Sequence, residues 1–128
     1  MRRIGAHYLY INPDVLLKNG VVEIDDKNIV TDYFSLNDID VESSKTEFYT
    51  GFLAPAFVDI TIHQLWKMQQ NFPNSNIIDF IKSTSASIEK GKQVEIWLVE
   101  NLNLVDLKIT AETKIRKLLG FTIPFQPI

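Results

Sequence analysis

The chain has no cysteine, only two histidines and no apolar stretch as long as a membrane span. Without cysteine it has neither a disulfide framework nor a thiolate metal site, which is compatible with a reducing compartment. The apolar run after Arg2 and Arg3 ends at Asn12-Pro13-Asp14 and is too short for the core of a signal peptide. A membrane helix needs about 20 apolar residues. We therefore predict a cytoplasmic protein that does not insert into a membrane.

The length and net charge of the chain limit the kind of protein and the kind of partner it can have. The chain has 128 residues, 45% of them hydrophobic and 23% charged, which is typical of one folded domain and too apolar for a disordered chain. Its 13 basic and 16 acidic residues give a net charge of -3. Because this sign is wrong for a surface that neutralises phosphates, we do not expect nucleic acid as a partner.

The first half of the chain has the pattern of several short antiparallel strands. Turn residues recur at short intervals, with β-branched and aromatic residues between them. The dipeptide Asn19-Gly20 tolerates positive φ, so we predict a tight hairpin turn there. The nearly continuous apolar segment 51–62 is expected to be a central strand buried on both faces. The other predicted strands are residues 3–11, 15–18, 21–25, 29–34 and 45–49.

The second half begins with helical spacing. Leu65, Met68 and Phe72 predict a first helix, which Pro73 ends. A second apolar stripe opens at Asn76, with Asp79 placed as in a capping box. We expect this second helix to continue through Ile88 to Gly91. A strand over 93–99, two short strands near 104–110 and 113–118, and an irregular tail, 121–128, complete the pattern.

This order predicts an α+β fold with two helices inserted between N-terminal and C-terminal strands. We expect one domain over residues 1–128 and a sheet or sandwich closed by both ends of the chain. Its predicted parts are N-terminal strands over 1–62, two helices over 63–90, C-terminal strands over 91–120 and the irregular tail 121–128.

Residues 53–63, Leu-Ala-Pro-Ala-Phe-Val-Asp-Ile-Thr-Ile-His, resemble the Pro-Gly-Phe-Val-Asp-x-His-x-His signature of the amidohydrolase superfamily. In that family the signature ends the first strand of a metal-binding barrel. Residues 16–25 resemble the strands that precede it, and residues 87–99 resemble the segment that leaves the last barrel helix for the closing strands. The resemblance covers nearly the whole chain as two ends joined near His63, with the middle of the barrel absent. Ala56 departs from the glycine of the signature.

The resemblance implies a composite β-sandwich and a set of metal ligands. Asp59, Thr61 and His63 would share one face of a strand, since alternate residues point the same way. Thr61 occupies the first histidine position of the signature. A catalytic zinc site needs about three protein ligands, and the family takes the others from barrel strands that this chain lacks. We therefore predict no catalytic residue, no cofactor and no metal site, with these three residues as vestigial candidates only.

Other residue sets have a structural interpretation beside a functional one. His63 is either a vestigial or shared ligand or a polar residue at a strand-to-helix junction, and His7 is expected on a strand face. Asp59 is either a catalytic base or a hydrogen-bonding residue. Six aromatic residues either line a ligand pocket or belong to the core: Phe52, Phe57, Trp66, Phe72, Phe80 and Trp97. An acidic set is expected in a solvated loop: Asp38, Asp40 and Glu42.

Three functions remain open from the sequence. The first is a non-catalytic binding or assembly module, the second a metal-dependent hydrolase whose site forms across subunits from His63 and Asp59, and the third a small-ligand carrier. Without a barrel, the helix faces at Leu65, Met68 and Phe72 need a cover, because large exposed apolar patches are uncommon on monomers. We therefore expect a homo-oligomer or a protein partner.

Overall fold

A computed structural model of the chain describes residues 2–38, 46–55, 62–83 and 86–119. The two helices lie between four N-terminal and two C-terminal strands, so the α+β prediction and its order of elements are confirmed. The elements are β1 (Arg2–Asn12), β2 (Val15–Ile24), β3 (Val30–Ser35), β4 (Thr46–Pro55), α1 (Ile62–Asn71), α2 (Ile77–Lys82), β5 (Ile96–Glu100) and β6 (Lys114–Leu119). A short 3-10 turn, Leu36–Asp38, follows β3.

The strands form one mixed sheet in the order β3-β2-β1-β4-β5-β6. β1 and β4 are parallel, and every other neighbouring pair is antiparallel. β4 lies between β1 and β5, where Leu53 pairs with Leu9 on one side and with Leu98 on the other. Strands from both ends of the chain therefore share the sheet, and the predicted central position of the segment after Gly51 is confirmed as far as Pro55.

Both faces of this sheet carry a core, because neighbouring residues of one strand point to opposite sides. Phe52 and Val99 point into what we call the helix-side cluster, whereas Leu53 and Leu98 point into the opposite-face cluster. The helix-side cluster consists of Tyr10, Phe52, Ala54, Leu65, Ile77, Phe80, Ile81, Val99, Leu102, Leu107 and Ile109. The opposite-face cluster consists of Ile4, Ala6, Leu9, Ile11, Val22, Ile24, Val30, Leu53, Ile88, Val94, Ile96 and Leu98.

The two helices pack on the helix-side cluster through their apolar stripes. α2 begins at the predicted capping box: the Asn76 side chain accepts hydrogen bonds from the backbone N–H groups of Ile78 and Asp79, and the Asp79 carboxylate accepts from the Asn76 N–H. These bonds satisfy N–H groups that a helix start leaves without partners. The helix then buries Ile77, Phe80 and Ile81.

α2 is shorter than the sequence pattern predicts. It ends at Lys82, and Ile88 lies beyond it in a segment without regular secondary structure. The Ile88 N–H donates to the Ile11 carbonyl at 2.7 Å, and its side chain joins the opposite-face cluster. Residues of this one apolar stripe therefore pack on both faces of the sheet, Ile77, Phe80 and Ile81 on one and Ile88 on the other. A helical period cannot reveal this switch, because Ile88 keeps a helical spacing although it lies outside the helix.

Asn19-Gly20 does not form the predicted hairpin turn. β2 runs through both residues, and the turn that joins β1 to β2 lies at Pro13-Asp14. There the Asp14 N–H donates to Asn12 Oδ1 at 2.8 Å. Asn19 does adopt a positive φ, 49°, so the dipeptide marks an irregularity inside a strand and not its end. The predicted strands 15–18 and 21–25 are one strand.

β1, β2 and β4 are irregular at one level of the sheet. The pairing of β1 with β4 shifts between Ala6 and Tyr8, and Gly51 of β4 has φ 144°. Before this point in β1 Ile4 and Ala6 face the opposite-face cluster, and after it Leu9 does, so the residues that point to this face change from even to odd positions. The Gly51 N–H donates to Nδ1 of His7 at 3.3 Å. His7 is thus a strand residue whose side chain accepts the hydrogen bond of the Gly51 N–H group at this irregularity.

Two further boundaries differ from the prediction. Ile62 begins α1 and does not end the preceding strand. The predicted strand over 104–110 is instead a loop, because Asn103 Oδ1 accepts from the N–H groups of Val105 and Asp106 and turns the chain. The other short C-terminal strand is confirmed as β6. The predicted tail, 121–128, lies outside the described residues.

Candidate functional site

His63 is the only one of the three vestigial metal candidates in the described part of the chain. It lies in the first turn of α1 with an exposed side chain. Asp59 and Thr61 lie outside the described residues. Within residues 2–38, 46–55, 62–83 and 86–119, no three histidine, aspartate or glutamate side chains converge as metal ligands. The described residues thus do not place His63 in a group of three or more possible metal ligands.

The aromatic residues belong mainly to the core. Phe52 and Phe80 are buried in the helix-side cluster, and Trp66 and Trp97 pack half-buried against it. Trp97 Nε1 donates to a Glu95 carboxylate oxygen at 3.5 Å. Phe72 lies just beyond α1 and is 59% exposed, and Phe57 falls outside the described residues. Four of the six aromatics therefore follow the core interpretation, and Phe72 does not.

Leu65 is covered by its own chain. Its side chain is 0% exposed and lies in the helix-side cluster, against which Met68 also packs. The expectation that the α1 face at Leu65 and Met68 needs an external cover is therefore wrong: the sheet and α2 supply one. Of the three residues named for that face, only Phe72 is mainly exposed.

Of the acidic residues Asp38, Asp40 and Glu42, one lies in the described part of the chain. Asp38 ends the 3-10 turn after β3, whereas Asp40 and Glu42 lie outside the described residues. The solvated acidic loop stays a prediction.

Tyr10 is the buried polar residue that the sequence pattern did not single out. Its side chain is 1% exposed in the helix-side cluster, and its hydroxyl has no hydrogen-bond partner within the described residues. Burial raises the pKa of the Tyr10 phenol, and the negative charge of Asp14 raises it further. The phenol is therefore neutral at ordinary pH. The only sequence signal was an aromatic residue at an inward position of a strand.

We expect Tyr10→Phe to stabilise the protein. A buried hydroxyl without a partner loses its hydrogen bonds to water, so its removal should raise the free energy of unfolding by about 1 kcal/mol. Urea denaturation of both proteins measures this difference. A less stable Tyr10→Phe variant would mean that the hydroxyl has a partner in solution, such as an ordered water or a bound molecule.

Gln69 is a second buried polar group, and its role is structural. Its amide nitrogen donates to the carbonyl of Phe72 at 3.2 Å and to that of Ser75 at 2.7 Å. Its amide oxygen accepts from the Ile109 N–H at 3.0 Å. Gln69 thus ties the end of α1 to the loop that covers the helix-side cluster. All its bonds go to backbone groups, which no sequence spacing indicates.

Comparisons with known proteins identify no relative. No protein-family model, no curated protein and no solved structure matches the chain. Among the described residues, no helix has the length and apolar character required to cross a membrane. The functional interpretation therefore depends on the residues, the fold and the resemblance of residues 53–63 and 87–99.

Proposed function

We propose that this chain is a non-catalytic, amidohydrolase-like domain that acts as a binding or assembly module. The pairing of β4 with β5 carries the proposal. β4 ends with Leu53-Ala54-Pro55, the start of the segment that resembles the amidohydrolase signature, and β5 contains the end of the segment that resembles the closing strands. The two resembling ends meet in neighbouring strands, through Leu53 with Leu98 and Pro55 with Ile96.

We also infer that the sheet corresponds to the composite β-sandwich of that superfamily. The opposite-face cluster supports this inference, because it joins side chains from five strands of one sheet. The segment before β5 lies along the start of β3: Gly91 N–H donates to the Val30 carbonyl at 2.8 Å, and Val94 N–H donates to the Asn28 carbonyl at 3.1 Å. Because the segment that leads into β5 reaches β3 at the far end of the sheet, the chain wraps around the opposite-face cluster, as we would expect of a sandwich core.

The non-catalytic part of the proposal depends on the ligands. Thr61 replaces the first histidine of the signature, and a threonine hydroxyl is a poor substitute for the imidazole that zinc prefers. His63 is exposed on α1, and the described residues form no group of three or more possible metal ligands around it. A water bound to a metal held so weakly would not be activated for hydrolysis.

The partner is proposed to be a second copy of the chain or another protein. Since Leu65 is buried internally, the apolar surface in favour of association is smaller than the sequence suggested. Phe48, Phe72 and Val105 supply it, at 44%, 59% and 95% exposed.

Metal analysis and light scattering on the purified chain test this function together. We expect less than about 0.1 equivalent of zinc, manganese or iron, because a lone imidazole does not retain a metal through purification. We also expect a molar mass above the 14.7 kDa of one chain, or a co-purifying protein. A clean monomer with one equivalent of metal, lost in His63→Ala, and with hydrolysis that a chelator abolishes would contradict the proposal.

A further inference from the structure

β6 is the last of the described strands in the sheet, and all three of its charged residues are cations. It pairs with β5 alone among the described strands, so every second residue directs its backbone N–H and C=O groups away from the sheet. Lys114, Arg116 and Lys117 of β6 all have exposed side chains. An edge of this kind is a template for an added strand.

These cations are only partly neutralised. Arg116 Nε lies 3.3 Å from a Glu100 carboxylate oxygen, and its guanidinium lies 5.7 Å from the centre of the Tyr49 ring. Lys117 Nζ lies 5.2 Å from the centre of the Trp97 ring, and Lys114 forms no ion pair within the described residues. Glu100 belongs to β5, one strand further from the edge. A strand added beside β6 would therefore lie next to a strand whose exposed charged residues are all positive.

The positive charges of β6 favour an acidic partner strand over a second copy of β6. Two copies of β6 would bring six cations together, and like charges on paired strands are unfavourable. An acidic strand would instead place carboxylates opposite the cations while it completes the hydrogen bonds of the edge. We infer that the outer edge of β6 binds an extended acidic segment of a partner protein by strand addition. This inference rests on the proposed binding role and names its surface.

A synthetic probe tests the inference. We would titrate the full chain with a fluorescein-labelled peptide of alternating glutamate and valine, at low salt, and compare it with the same peptide carrying lysine for glutamate. We expect the acidic peptide alone to bind, with an affinity that falls at least about tenfold between 50 and 300 mM salt because exposed charges are screened. Hydrogen exchange should slow at backbone amides of β6.

A pair of double variants separates local charge from net charge. Lys114→Glu/Lys117→Glu should lower the affinity for the acidic peptide at least about tenfold, whereas Lys67→Glu/Lys82→Glu, at exposed positions of the two helices, should change it by less than about twofold. Circular dichroism checks that both variants fold. Equal loss in both variants, or binding without slower exchange in β6, would overturn strand addition.

The two proposals can fail separately. If the acidic peptide does not bind but light scattering or co-purification finds an assembly, the edge of β6 is not the surface used and the binding role stands. If the chain is a clean monomer with a functional metal site, the binding role itself is wrong.

Discussion

Gly51→Ala should lower the free energy of unfolding by about 3 kcal/mol or more. Gly51 has φ 144°, a conformation that residues with a Cβ atom rarely adopt. A Cβ built there would collide with the backbone carbonyl oxygen of Val99 on β5. Because that oxygen belongs to a paired strand, the backbone and not a flexible side chain must move.

Gly91→Ala is the matched control for this effect. Gly91 also has a positive φ, 84°, but a Cβ there would meet no atom within 4 Å. Only the backbone strain remains, so we expect a loss of about 1 kcal/mol. Urea denaturation of both variants separates strain from collision. Equal losses would mean that β4 and β5 separate readily at Gly51.

Leu65→Ala should lower the free energy of unfolding by about 2–5 kcal/mol. Leu65 of α1 is fully buried in the helix-side cluster, so its truncation leaves a cavity there. The loss should not depend on protein concentration, because the contacts of Leu65 lie within one chain. Thermal denaturation at two concentrations measures both the size and the concentration dependence.

Phe72→Ala is the control on the same side of the molecule. Phe72 follows α1 and is 59% exposed, so its removal should cost less than about 1 kcal/mol in an isolated chain. If Phe72 contacts a second copy, Phe72→Ala should instead weaken association while leaving the stability of the monomer nearly unchanged. A Leu65→Ala loss that vanishes on dilution would show that α1 packs between chains.

The strand pattern was predictable where alternation continued without interruption. The prediction that Val94, Ile96 and Leu98 share one face is confirmed, because all three lie in the opposite-face cluster. The start of α2 was also predictable, since the bonds of Asn76 and Asp79 are local and depend on a three-residue spacing. Such features are decided within a few residues of chain.

The predictions failed where the conformation of a residue depends on its pairing with a distant segment of the chain. Asn19-Gly20 has the local chemistry of a turn, yet pairing with β1 on one side and β3 on the other keeps β2 extended through Gly20. Ile88 keeps a helical spacing from α2, yet its amide bonds to Ile11. Neither partner can be read from the neighbouring sequence, because the contact spans tens of residues.

The candidate site also has features that the sequence alone indicates and features that only the structure shows. The proposed match of Thr61 to a histidine position of the amidohydrolase signature depends on the sequence alone and stays a prediction. The unpaired Tyr10 hydroxyl, the buried Gln69 amide and the basic edge of β6 became visible only in the structure. Each is defined by what lies beside it in space.

The amino-acid sequence by itself determined the class of fold, the order of strands and helices and the capping of α2, because these depend on residue type and short spacing. Only the tertiary structure decided that β4 pairs with both β1 and β5, that the Gly51 N–H donates to His7, and that Leu65 is buried by residues of its own chain. These outcomes depend on which distant segments pair, and pairing is a property of the whole folded chain.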